Sequence, residues 1–175
     1  MSILTLVHHR WALPVLAELH GLGGGGRFVS LLHRLGASRD SLRQTLGSLG
    51  DEGLVMRNPG YGHPLRPEYV LTASGRRIAP ACAALVAALR REGVEDVGLK
   101  KWSIPVLLEL AGERRFAELR EALGVSPRAL TLALKELAEA GLVERRVHDG
   151  FPPTSSYRLT RRAMSLRRTA SRLAV

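Results

Sequence analysis

The chain's 175 residues suffice for one ordinary domain or for two small ones of about 80 to 90 residues. Hydrophobic side chains make up 45% and mean hydropathy is near zero, which suits a soluble globular chain with a core; no apolar run approaches the roughly 18 residues of a membrane span. A net charge of +10 and a pI near 11.1 favour an anionic partner, nucleic acid first.

The N-terminus lacks the basic, apolar and cleavage regions of a signal peptide, so a cytoplasmic protein is expected. A first helix is expected from about Val7 to His20, with Pro14 inside it; a proline there either starts the regular helix late or kinks it. Gly23, Gly24, Gly25 and Gly26 read as a flexible connection. They are not a phosphate loop, since no strand precedes them and no Gly-Lys-Ser/Thr ends them. A second helix covers Arg27 to Leu35 and a third starts at Ser38, with Leu42, Leu46 and Leu49 as its apolar stripe. A wing follows from Leu54 to Thr72. Residues 73–91 make a longer helix with Ile78, Cys82, Leu85 and Leu89 on one face, and 92–99 form a linker.

The second half, 100–175, repeats this order after the first domain, 1–91. Trp102 opens a helix containing Pro105, and Phe116 to Leu123 reads as a short amphipathic helix. Gly124-Val125-Ser126 makes the turn, with Ser126 as N-cap and Pro127 at the first helical position, where a missing N–H costs nothing. Leu130, Leu134 and Leu137 then fall at i, i+4 and i+7 of a helix that stops at Gly141. Leu142–Val147 and Ser156–Thr160 read as strands around a tip holding Gly150, Pro152 and Pro153. Arg161 to Val175 closes the chain as a helix with Leu166, Ala170 and Leu173 on one side. Helix, turn, helix and hairpin in that order usually put the second helix on DNA.

The halves are copies. Trp11 to Leu19 matches Trp102 to Leu110 at an offset of 91, and beyond the first loop the offset is 88, aligning Arg27-Phe28 with Arg115-Phe116 and Gly53-Leu54-Val55 with Gly141-Leu142-Val143. The glycine run absorbs the difference. Residues 1–92 carry 11 basic and 6 acidic side chains and residues 93–175 carry 15 and 10, so each half is +5.

These residues resemble the HxlR-type winged-helix transcriptional regulators, relatives of the MarR group. The carrying motifs are Lys101-Trp102, Arg115-Phe116-Ala117-Glu118-Leu119, Leu134-Lys135-Glu136-Leu137, Ala140 to Arg145, and Pro152-Pro153 followed by Tyr157-Arg158-Leu159-Thr160. The first copy keeps Trp11, Arg27-Phe28, Gly53-Leu54-Val55 and Pro67 to Thr72. The resemblance implies a mostly α, α+β fold: two tandem winged helix-turn-helix domains forming an intramolecular pseudo-dimer. Its interface would be Ile78–Leu89 and the C-terminal helix. It further implies a monomeric pseudo-dimer or weak homodimer that binds double-stranded DNA at an imperfect palindrome, through two non-identical recognition helices. Thr45 and Ala133 stand in the middle of helix three where the family usually has a basic residue, and Thr154-Ser155-Ser156 is an unusual wing. The N-terminal segment lacks the cysteine of some redox-sensing members.

With the leucine stripe buried, the opposite face of helix three presents Arg128, Thr131 and Lys135 in the second copy and Arg39, Arg43 and Gln44 in the first. Arginine can read guanine and glutamine adenine in a major groove. Arg57, Arg66, Arg145, Arg146 and Arg158 lie on the wings, suited to phosphate or minor-groove contact. The plain alternative is a solvated polar face. Trp11 and Trp102 either pack in their own cores or line a cavity for a small aromatic ligand. The six histidines have no ligand spacing, so no metal or cofactor is expected. The single cysteine, Cys82, excludes an internal disulfide and sits on an apolar stripe, as a buried inert thiol would. No nucleophile–base constellation argues for an enzyme. A ligand-responsive DNA-binding regulator is the first reading; a small-molecule-sequestering protein on the same scaffold, motivated by Thr45, Ala133 and the altered wing, is the second.

Overall fold

The computed structural model describes residues 3–59, 67–150 and 154–173. The chain divides into two compact units, Met1–Ala87 and Ala88–Val175. The first unit runs α1 (Ile3–Leu6), α2 (Ala12–Gly21), β1 (Gly25–Arg27), α3 (Phe28–Leu35), α4 (Arg39–Asp51), β2 (Val55–Asn58) and β3 (Glu68–Leu71). Then α5 (Ala73–Arg91) leads into the second unit. There follow α6 (Glu95–Gly98), α7 (Ser103–Glu109), β4 (Arg114–Arg115), α8 (Phe116–Leu123), α9 (Pro127–Glu139), β5 (Val143–His148), β6 (Thr154–Leu159) and α10 (Arg161–Ala170), which ends in a 3₁₀ turn at Ser171–Leu173. Among the described residues each unit has one antiparallel three-stranded sheet, ordered β1-β3-β2 and β4-β6-β5. The mostly helical α+β fold with two winged modules is therefore the one the sequence leads to.

Local chemistry explains the boundaries. The expected helix Val7–His20 is interrupted, and its regular part begins only at Ala12, after N-cap Trp11. Pro14 therefore occupies the third helical position, where the N–H would have no intrahelical partner. Pro105 sits alike in α7, after N-cap Trp102. The late start, not a kink, is the outcome in both copies. Ser38 and Ser126 cap α4 and α9, accepting from the backbone N–H of Ser41 (3.2 Å) and Ala129 (3.3 Å). The turns before these helices bend through Gly36 and Gly124, at φ 64° and 58°, a region costly for any residue with a Cβ.

The glycine run is not a flexible connection. Gly23 and Gly24 turn the chain at φ 79° and 103°, and Gly25 and Gly26 belong to β1, paired with Val70 and Tyr69. A Cβ on Gly25 would stand 3.0 Å from Val70 Cγ1, and one on Gly26 3.1 Å from Leu22 Cδ1. The glycines let a third strand lie close to the sheet and to α2. The expected wing strands shift slightly: Leu142–Val147 becomes Val143–His148, and Ser156–Thr160 becomes Thr154–Leu159.

Leucines fill both cores. In the first unit α2 packs on α3 and α4, burying Leu16, Leu19, Leu31 and Leu42; in the second α7 packs on α8, α9 and α10, burying Ile104, Leu107, Leu119 and Leu130. One threonine per unit locks the wing to the helix it follows. Thr72 Oγ1 donates to the Gly53 carbonyl (2.6 Å) and accepts from the Gly75 N–H (3.1 Å). Thr160 Oγ1 donates to Gly141 (2.9 Å) and accepts from Ala163 (3.3 Å). These bonds tie the end of each wing to the turn that follows its second helix.

Candidate nucleic-acid interface

The candidate surface begins with α4 and α9, the second helix of each helix-turn-helix. Leu42, Leu46 and Leu49, like Leu130, Leu134 and Leu137, are buried, which fixes the phase of both helices. On the opposite faces Arg39, Arg43 and Gln44, and Arg128, Thr131 and Lys135, are all exposed. Arg43 Nη1 lies 3.0 Å from Asp40 Oδ1 and Lys135 Nζ 3.8 Å from Glu139 Oε1. Exposed pairs of this kind contribute little, so both cations can exchange their partner for a phosphate or a base. Thr45 and Ala133 are buried instead. Thr45 Oγ1 donates to the Ser41 carbonyl at 2.8 Å. Neither position belongs to the exposed face, so neither leaves a gap in it.

In the first unit, Arg43 and Arg57 line one groove of about 280 Å3 between α4 and the wing, together with Gly47, Met56 and Tyr69. Arg66 lies outside the described residues. In the second unit the wing arginines divide. Residues alternate faces along a strand, and the register places Glu144, Arg146 and His148 opposite Arg158, Ser156 and Thr154 on one side. Arg158 Nε donates to Glu144 at 2.7 Å and Arg146 Nη1 lies 3.5 Å from Glu113. Arg145 is on the other side, where its guanidinium donates to Ser155 Oγ at 2.8 Å.

Sequence reasoning missed a cluster at the base of this wing. Buried Ser156 donates a short hydrogen bond to Glu113, and His148 Nε2 is 2.6 Å from the same hydroxyl. The Ser156 hydroxyl, then the charges of Arg146, His148 and Arg158, hold the Glu113 carboxyl below its ordinary pKa. The β5–β6 register brings His148, Arg146 and Ser156 together and the β4–β6 pairing adds Glu113, and no spacing in the sequence announces either. Leu132 was missed too. It lies four residues after Arg128 on the polar face and is 55% exposed.

The tryptophans are half-buried at the starts of α2 and α7, each beneath a neighbouring cation: Arg10 Cζ is 5.7 Å from the Trp11 ring and Lys101 Nζ 5.3 Å from that of Trp102. Trp102 lines a groove of about 250 Å3 with Lys100, Ala129, Leu132 and Glu136. Cys82 is buried, and desolvation pushes its thiol up to about 12. No helix among the described residues is long and apolar enough to cross a membrane.

A helix, a glycine turn, a capped second helix and a hairpin braced by a short third strand define each unit as a winged helix-turn-helix. The HxlR-like helix-turn-helix family matches residues 6–93 and again 97–174, and the chain belongs to that family as a tandem pair. It is similar to an uncharacterised HTH-type transcriptional regulator of Synechocystis, 43% identical over 75 residues, which is 42% of this chain and 56% of that protein. A Mycobacterium bovis regulator of the same description is 39% identical over 83 residues, 47% of this chain and 51% of its own. The chain thus matches about half the length of these curated relatives. Among solved structures, the redox regulator HypR in its oxidised form is 31% identical with a TM-score of 0.45, covering 49% of this chain and 90% of that one.

Proposed function

We propose that the chain is a DNA-binding transcriptional regulator whose unlike heads, α4 and α9, read the two half-sites of one imperfect palindrome on double-stranded DNA. One observation carries this reading. In each unit the second helix of a helix-turn-helix turns its whole apolar stripe inward and offers cationic and hydrogen-bonding side chains outward. The family and the HTH-type relatives support it. Arg39, Arg43, Gln44, Arg128, Thr131 and Lys135 address base edges and nearby phosphates, while Arg57, Arg66, Arg145, Arg146 and Arg158 hold the backbone. Both heads being on one chain, the protein works as a pseudo-dimer without a second copy.

The test is fluorescence anisotropy of the purified chain on its own upstream DNA and on random duplex, across a salt series. Specific binding that weakens steeply as salt rises is expected, because bound phosphates release counterions. Equal binding to both duplexes would remove the regulator reading.

Responsiveness to a small aromatic ligand belongs to the same proposal and rests on the groove beside Trp102, which shares Leu132 and Glu136 with α9. A ligand there alters DNA binding only through different affinities for the free and bound forms. Quenching of tryptophan fluorescence, lost in Trp102→Phe, is the expected sign. The sequestering alternative keeps this groove and the unusual Thr154-Ser155-Ser156 wing as support, since Thr45 and Ala133 are core positions.

A further inference from the structure

Positions i, i+3, i+4 and i+7 of a helix share one face. Opposite the buried stripe of α9 these are Arg128, Thr131, Leu132 and Lys135; on α4, 88 residues earlier, they are Asp40, Arg43, Gln44 and Gly47. All eight are exposed, and no position keeps its residue between the copies. One difference is chemical in kind: where α4 carries an amide, Gln44, α9 carries a leucine that is 55% exposed. The phase of α9 is not in doubt at that point, because Leu130 and Leu134 on either side are 0% and 2% exposed.

We propose that Leu132 reads the C5-methyl group of a thymine in the half-site addressed by α9, at the base-pair position where α4 presents Gln44 to an adenine. The inference rests on the DNA-binding reading above and adds a direction to it. The thymine methyl is an apolar group in the major groove, and an alkyl side chain can bury it but can satisfy neither a base donor nor a base acceptor. Leu132 also stands one turn beyond Arg128, so a guanine contact by the arginine brings the leucine to a neighbouring base. The two half-sites therefore differ at a defined position: adenine facing Gln44, thymine facing Leu132.

The experiment first selects preferred duplexes from a random pool with the full chain. Each thymine of the best duplex is then replaced singly by deoxyuridine, which pairs identically but lacks the methyl, and Kd is measured by anisotropy. Burying a methyl-sized group is worth about fourfold in an equilibrium constant. One replacement should therefore weaken the wild-type chain about fourfold and leave Leu132→Ala unchanged. Leu132→Gln should move the preference at that base pair from thymine to adenine, with circular dichroism unaltered in both variants. If every deoxyuridine duplex binds within twofold of its parent while a preferred sequence still exists, the methyl contact is wrong and DNA reading stands. A fourfold loss that persists in Leu132→Ala assigns the methyl to another side chain and likewise overturns the inference. A pool that yields no preferred sequence overturns both.

Discussion

Arg43 and Arg128 occupy different steps of the same face. Arg128 opens the exposed row of α9, whereas Arg43 comes one turn later on α4 and leans on Asp40 at 3.0 Å. Each is free to take a guanine bidentately, so Arg43→Ala and Arg128→Ala should each relax sequence preference at one base pair of its own half-site, at a cost of about 1–3 kcal/mol. Arg146→Ala, which removes a wing cation, should instead weaken all sequences alike; repeating the selection with each variant separates the two patterns. Glu113 carries a different prediction. Its pKa lies below the ordinary 4.5 when folded, so its contribution to stability is complete above that value and is lost as pH falls through the folded value. Melting temperatures of wild type and Glu113→Gln should differ near neutrality and converge in acid, because protonation removes from the wild type what the substitution has already removed.

At the scale of elements, one close approach in the first unit is not repeated in the second. A Cβ on Gly75, in the first turn of α5, would overlap the Leu54 carbonyl, yet the matching position in α10 is Ala163, which is fully buried. Gly75→Ala should cost about 1–3 kcal/mol through overpacking, read as a lowered urea midpoint, although alanine is the better helix former. Local signals made much of the fold legible. The span of α8 and the cap-and-proline start of α9 follow from punctuation and 3.6-residue spacing within a few neighbours. Elements that exist only because a neighbour offers an edge were not legible. β1 and β4 are three and two residues of glycine and arginine, with no alternation to detect, and they form against the free sides of β3 and β6. The start of α2 was hidden because Val7 fits the apolar spacing and is itself buried outside the regular helix. At the candidate site, the polar faces of α4 and α9 follow from the leucine stripes. Leu132 escaped although the same spacing turns it outward with Arg128 and Lys135, because an apolar side chain among cations gives no chemical signal of a contact until its 55% exposure is seen.

For the molecule as a whole, duplication places both heads on one chain, each half with a net charge of +5. A regulator assembled from two separate chains loses occupancy with the square of its concentration once it falls below the dimerisation constant. Two heads joined covalently meet at an effective concentration set by the connection between them. Titration of an intact site should therefore follow a simple hyperbola, with a Hill coefficient near one, down to protein concentrations limited only by Kd. A coefficient approaching two in the same titration would show that two chains are needed.

The unlike faces of α4 and α9 carry a consequence beyond affinity. A reader made of two identical heads fits its site equally well after a half-turn, and so cannot distinguish one flank from the other. If α4 and α9 read DNA as proposed, a chain whose heads share none of the four outward residues is bound in one orientation only. Such a site would have a front and a back, like an arrow painted on the duplex, and whatever lies beside the protein on the DNA would always meet the same side of it.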